Sequence, residues 1–288
     1  MKRYQSNRGY EPEVLERLHK VQMEILEDFI AVCDKYDLKY FGVYGTTLGA
    51  VRHQGFIPWD DDIDVGMLRE DYDKFFEIFE QELSDKYALL TTEIDERYAC
   101  TVTHVQKKGT KFISEASQDL KCEQCIFMDI FPYDRVANGK LGQIWQLLMT
   151  NFWAKLLFLA GTAYPVIPLK GILGGMARFG CKVIHYFLKV FKVSTKMLYR
   201  NYLRVATAYN RDEDKEYVTF FENFGSVRNK INKNEIFPLK KMKFEYLEID
   251  IPNQYHEYLS RTYGDYMQLP PEDKRVNHMP LVIDFGDK

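Results

Sequence analysis

Val14, Leu15, Leu18, Val21, Ile25, Leu26, Phe29 and Ile30 recur at three- and four-residue spacing, with Pro12 just ahead of them. That pattern predicts a long amphipathic helix ending near Tyr36. Residues 39–44 read as a short strand running into Gly45-Thr46-Thr47-Leu48-Gly49, and a second strand is expected over the aspartates that follow. Residues 69–83 return to helical period, with Phe75, Ile78, Phe79 and Leu83 turned inward. Residues 87–92, 99–106, 111–114 and 125–131 alternate or run apolar like strands. Farther on, residues 237–251 alternate like a hairpin, residues 255–263 suit a helix, and the tail is rich in turn residues. Helix, strand, turn, strand, helix and further strands describe an α/β (α+β) domain with a mixed sheet flanked by helices.

The pattern changes between Asp134 and Asp212. Residues 135–211 contain 12 Lys+Arg and no acidic residue, whereas the rest of the chain holds 27 basic and 42 acidic residues. The block is also apolar, through IWQLLMTNFWAKLLFLAGTAYPVIP and an amphipathic basic run over residues 176–196. Lys155, Gly161 and Pro165 interrupt it, and no clean stretch approaches the ~20 apolar residues of a spanning helix. A basic helical insertion is therefore expected. Residues 1–134 and 212–288 would form the catalytic core and its completion. The dense cluster Phe152, Trp153, Leu156, Leu157, Phe158 and Leu159 suits a helix lying in an anionic membrane surface. An internal subdomain with a positive face is the competing reading.

Charge and cysteines narrow the class further. A net charge of -3 gives no reason to expect nucleic acid as a partner. The N-terminal MKRYQSNRGYEPEV lacks a signal peptide's apolar run, and five scattered cysteines suit a reducing, cytoplasmic compartment. Cys122 and Cys125 form a CxxC without a second pair or a His pair nearby, so a structural thiol pair is expected rather than zinc.

The stretch GFIPWDDDIDVGM crowds Asp60, Asp61, Asp62 and Asp64 beside Ile63 and Val65. Within a strand, Asp62 and Asp64 would share one face while Ile63 and Val65 meet the core. Two carboxylates aimed at one point make half of a cage for a hard divalent cation. Asp129, set among apolar residues in FMDIFPYD, is the candidate third. A solvated turn is the plain alternative for the aspartate run alone. The preceding YGTTLGAVRHQG places Gly45, Thr46 and Thr47 at a helix start suited to phosphate, with Arg52 farther along to reach the same anion.

The block YGTTLGAVRHQGFIPWDDDIDVGMLREDYDKF resembles the LicD family of the nucleotidyltransferase-fold superfamily. The resemblance resumes at FMDIFPYD, FPLKKMKFE and YGDYMQLPPEDKRVNH. It implies that Gly45 with Thr46 or Thr47 grips donor phosphates, and that Asp62, Asp64 and Asp129 hold Mg²⁺ or Mn²⁺. It further implies transfer of phosphocholine, or a similar phospho-alcohol, from CDP-choline or another CDP-alcohol. The acceptor would be a sugar hydroxyl of a cell-surface glycan or its lipid-linked precursor, and CMP would leave. Asp129 is by analogy the carboxylate nearest the incoming hydroxyl. Such an enzyme is expected in the cytoplasm, at the inner face of the membrane.

Weaker signals surround these. Trp59 beside the aspartates offers a face for a quaternary ammonium, or simple packing. Lys274, Arg275 and His278 sit in the family-like tail, where they could close over the donor or remain solvated. A nucleotidyltransferase releasing pyrophosphate would use the same cage, and a non-catalytic scaffold would be expected to lose one of the three carboxylates.

Overall fold

The computed structural model describes residues 2–3, 9–167, 169–221, 225–226, 228–275 and 277–286. The first half of the chain runs β1 (Lys2–Arg3), α1 (Pro12–Tyr36), β2 (Tyr40–Gly42), α2 (Tyr44–His53), β3 (Asp64–Leu68), α3 (Arg69–Glu82), β4 (Tyr87–Leu90), β5 (Thr103–Lys107), β6 (Lys111–Ile113) and β7 (Phe127–Arg135). Three helices follow: α4 (Lys140–Gly161), α5 (Gly171–Val190) and α6 (Thr195–Ala206). The chain then adds β8 (Tyr217–Thr219), β9 (Ile231–Asn232), α7 (Lys233–Ile236), β10 (Lys240–Phe244), β11 (Leu247–Ile251), α8 (Tyr255–Tyr263) and β12 (Val282–Asp284).

The main sheet has the order β2-β3-β7-β5-β4, with β8 and β9 continuing from the end of β7. Among the described residues only β3 and β7 pair in parallel; the other pairings in the sheet are antiparallel. The mixed α/β class expected from the sequence is the one observed. Alternation along the strands separates two cores. Ile63, Val65 and Met67, with Met128 and Ile130, face α1, α3 and the β10–β11 hairpin through Phe29, Phe75, Phe79 and Phe244. Phe41, Phe131 and Tyr133 point the other way and pack with Phe220, Tyr258 and Leu259. Such continuous burial of large side chains supplies most of the stabilisation.

Polar ties lock the remaining elements. Arg69 donates through Nε and Nη2 to the buried Asp134 carboxylate at 2.9 and 2.8 Å, and Asn210 Nδ2 reaches the same group at 2.7 Å. Gln146 is fully buried: its Oε1 accepts from Ala137 N and its Nε2 donates to Ala206 O, which fastens α4 to α6.

The acid-free block forms α4, α5 and α6, and among the described residues no helix is long and apolar enough to cross a membrane. The structure redistributes its apolar residues. Leu157 and Leu159 are buried, and Trp153 and Leu156 pack on a core with Tyr199 and Tyr202 of α6. Of the cluster expected to meet a membrane, only Phe152 is strongly exposed, and Trp153, Leu156 and Leu157 are taken up by the seam with α6.

Candidate active site

The parallel pairing of β3 and β7 places Asp64 directly opposite Asp129, and Val65 opposite Ile130. Since Val65 and Ile130 face the α1 core, the two aspartates share the opposite face. The expected strand over all the aspartates is shorter in the structure. It begins at Asp64, and residues 60–62 form the loop leading in, although Ile63 O still accepts from Asp129 N. Asp62 therefore reaches the site from a loop rather than along a pleat.

Asp64 is held at its backbone, where its N–H donates to Thr46 Oγ1 at 2.7 Å. Among the described residues the Thr46 hydroxyl proton has no acceptor, at the start of α2. The Thr47 hydroxyl, expected to face a phosphate, is instead buried and donates to Gly42 O at 2.5 Å. Gly45 lies in the first turn of α2, against the Asp60 carboxylate. A Cβ built there would stand 2.5 Å from Asp60 Oδ2. The Tyr44 backbone takes a left-handed φ of 46°, and its N–H donates to Tyr258 Oη at 2.9 Å. The helix start is thus braced from α8.

The electrostatics are those of crowded, buried anions. Burial, followed by the charges of Asp62, Asp129 and Asp60, holds the Asp64 carboxyl well above its ordinary range. Burial and the neighbouring Asp62 and Asp61 push Asp60 up to about 8. Asp62 is raised chiefly by burial and opposed by His278. Asp129 Oδ1 is a buried acceptor with no hydrogen-bond donor among the described residues. His104 Nε2 lies 3.0 Å from it without the alignment of a hydrogen bond, and the same nitrogen contacts Tyr98 Oη at 3.0 Å.

His104 and Tyr98 were not legible as site residues. The antiparallel register of β5 with β7 sets His104 opposite Asp129, and no local signal carries that pairing. Phe127 stacks on the imidazole at 4.0 Å and fixes its plane.

The C-terminal tail returns to the aspartates. His278 N–H donates to both oxygens of Asp61, while its ring Nδ1 stands 3.2 Å from Asp62 Oδ2. Those two carboxylates push the imidazole up to about 11, so at neutral pH it is a cation among anions. Asp61, Asp62 and His278 bring ligand atoms within 4.8 Å of one another. Tyr10 Oη also donates to Asp61, at 2.6 Å. With a protonated ring and a fully hydrogen-bonded Asp61, this group works as a clasp between the tail and the loop.

Other expected residues fall elsewhere. Arg52 directs its guanidinium to Tyr266 O at 2.7 Å and to His53 Nε2, not to the helix start. One face of Trp59 is covered by Arg275, whose guanidinium carbon sits 4.7 Å from the ring centroid. Lys274 is exposed at the end of a short 3₁₀ turn. Cys122 and Cys125 are buried free thiols, both pushed up to about 11 by burial.

The family description LicD/FKTN/FKRP, nucleotidyltransferase domain, matches residues 37–156, a range that contains Gly45, the aspartate loop and Asp129. The lipopolysaccharide cholinephosphotransferase LicD of Haemophilus influenzae is 31% identical over 273 residues, covering 90% of this chain and 93% of that protein. The chain belongs to the LicD family. Shorter matches join this LicD-family protein to uncharacterised proteins of Rickettsia typhi and Rickettsia prowazekii. The first is 45% identical over 58 residues, 20% of this chain and 19% of that protein. The second is 48% identical over 48 residues, 17% of this chain and 18% of that protein.

The LicD-family site fits a hard divalent cation on its own chemistry. Its donors are carboxylate oxygens crowded around Asp64 from Asp62, Asp129 and Asp60, and among the described residues Asp129 Oδ1 accepts no hydrogen bond.

Proposed function

We propose that this protein transfers phosphocholine, or a closely similar phospho-alcohol, from a CDP-linked donor to a sugar hydroxyl of a cell-surface glycan or its lipid-linked precursor. The observation that carries the reading is Asp129, whose buried Oδ1 accepts no hydrogen bond among the described residues, beside Asp64 and the α2 start, in a chain similar along most of its length to a lipopolysaccharide cholinephosphotransferase.

In this reading the acceptor oxygen bonds to the phosphorus that carries the alcohol. The bond from that phosphorus to the bridging oxygen of CMP breaks, and CMP leaves with the electron pair. The hydroxyl proton is the donor that Asp129 Oδ1 lacks. Donor phosphates lie over the start of α2, where the helix dipole and the free Thr46 hydroxyl proton favour an anion. Asp62, Asp64 and Asp129 would hold Mg²⁺ or Mn²⁺, which when bound supplies charge neutralisation for the diphosphate. The tail residue Arg275 stands close enough to Trp59 to add positive charge beside the donor.

Mass spectrometry of the products tests this. CDP-choline, Mg²⁺ and a glycan acceptor should yield CMP and a phosphocholine-bearing glycan. Pyrophosphate from CTP and phosphocholine, without CMP from CDP-choline, would replace the proposal with a nucleotidyltransferase.

A further inference from the structure

Helix α5 is built inside out. Its buried positions are Gly174, His185 and Leu188, and the ring of His185 contacts Leu159 O at 2.7 Å. Opposite that seam stand Ile172, Met176, Phe179, Val183, Phe187 and Val190, exposed by 84%, 65%, 69%, 52%, 57% and 75%. At 100° per residue these six fall within about 60° of a single line along the helix. A surface helix ordinarily turns such a stripe to the core. This one turns it to the outside, and an exposed apolar strip of this length marks an interaction surface.

The charges say what covers it. Arg178, Lys182 and Lys189 lie together on one flank of the helix, about 100–140° from the centre of the stripe on the same helical projection. Lys192 follows the helix, and residues 135–211 contain no acidic side chain. A second copy packed stripe to stripe would bring basic flanks together with no acid in the block to compensate them. An anionic bilayer removes the apolar side chains from water and attracts the basic flank at once. Gly175 and Gly180 have open space where a Cβ would be, and glycine gives little intrinsic helical support. The helix therefore gains from an external surface.

We propose that α5 lies in the plane of an anionic lipid membrane, with the stripe from Ile172 to Val190 in the interface and Arg178, Lys182 and Lys189 at the headgroups. This surface rests on helix geometry and charge, and it stands or falls separately from the transfer reaction.

Co-sedimentation of the full chain with phosphatidylglycerol-containing vesicles is the test, beside pure phosphatidylcholine vesicles. The protein should pellet with the anionic vesicles, more weakly with the neutral ones, and progressively less as salt rises. Lys182→Gln with Lys189→Gln should lower partitioning about fivefold per residue. Phe179→Glu with Phe187→Glu should abolish it. Both residues are exposed, and an unchanged thermal midpoint for that variant verifies the fold. Wild-type protein that stays in the supernatant at low salt overturns the proposal, as does vesicle binding that these variants leave untouched. A concentration-dependent dimer that Phe179→Glu dissolves, without vesicle binding, overturns it in favour of a second copy.

Discussion

The main-chain N–H of His278 donates to both oxygens of the Asp61 carboxylate, at 2.9 and 3.1 Å, between residues 217 positions apart. Tyr10 Oη completes the buried anion's coordination from the opposite end of the chain. Replacing Asp61 by Ala should destabilise the protein by about 2–3 kcal/mol, because it removes hydrogen bonds to a buried charge and strands their donors. A urea titration reads the loss, and limited proteolysis should show cleavage in the released tail. Asp61→Asn, which keeps an acceptor oxygen, should recover part of it. Wild-type stability in Asp61→Ala would show that the clasp contributes nothing.

Asp64 behaves oppositely, since its carboxyl is held well above the ordinary range by burial and by Asp62, Asp129 and Asp60. The fold alone prefers this group uncharged. Asp64→Asn should therefore leave the thermal midpoint without divalent cation equal to or above that of wild type. It should also abolish the upward shift produced by Mg²⁺ or Mn²⁺ and cut turnover by about a thousandfold or more, as loss of several kcal/mol of transition-state stabilisation requires. A wild-type metal response in that variant would remove Asp64 from the cage.

His19 stacks on Phe56 with ring centroids 3.7 Å apart and donates from Nε2 to Asp60 O at 2.8 Å. Burial, more than any other influence, lowers its pKa below 6.5. Between the folded and unfolded values the unfolded chain binds more protons, so this contribution is complete above about pH 6.5 and is lost as the pH falls below it. His19→Gln should flatten that part of the acid dependence. Chemical denaturation at pH 7.5 and 5 in both proteins measures it, and equal slopes would dismiss His19 as the group responsible.

Gly49 sits where a Cβ would approach Gly55 O to 2.4 Å and Ile57 N to 3.3 Å. The neighbour is backbone, and Glu245 pins the same loop by accepting from Phe56 N at 3.0 Å through Oε1. Gly49→Ala should cost about 1–3 kcal/mol as the loop is pushed away. Because residues 55–62 carry the aspartates into the site, turnover should fall as well, although no carboxylate is altered. An unchanged melting temperature together with unchanged activity would rule out this role.

The amino-acid order by itself determined α1, α3, the β10–β11 hairpin and the start of α2, because each is announced by a local period or by Pro, Gly and Thr at short range. It also singled out Asp64 and Asp129, since carboxylates between Ile63 and Val65, or between Met128 and Ile130, contradict their apolar setting, and Asp62 by its two-residue spacing from Asp64. Only the tertiary structure decided that β3 and β7 run parallel with Asp64 opposite Asp129, and that β5 brings His104 to the same place. It alone turned Arg52 toward Tyr266, laid Arg275 on Trp59 and buried Leu157 while exposing Phe179. The physical reason is that a helical or strand period records which face of an element is apolar, a local property. Strand register, the partner of a long basic side chain and the element that covers an apolar face depend on segments far away in sequence.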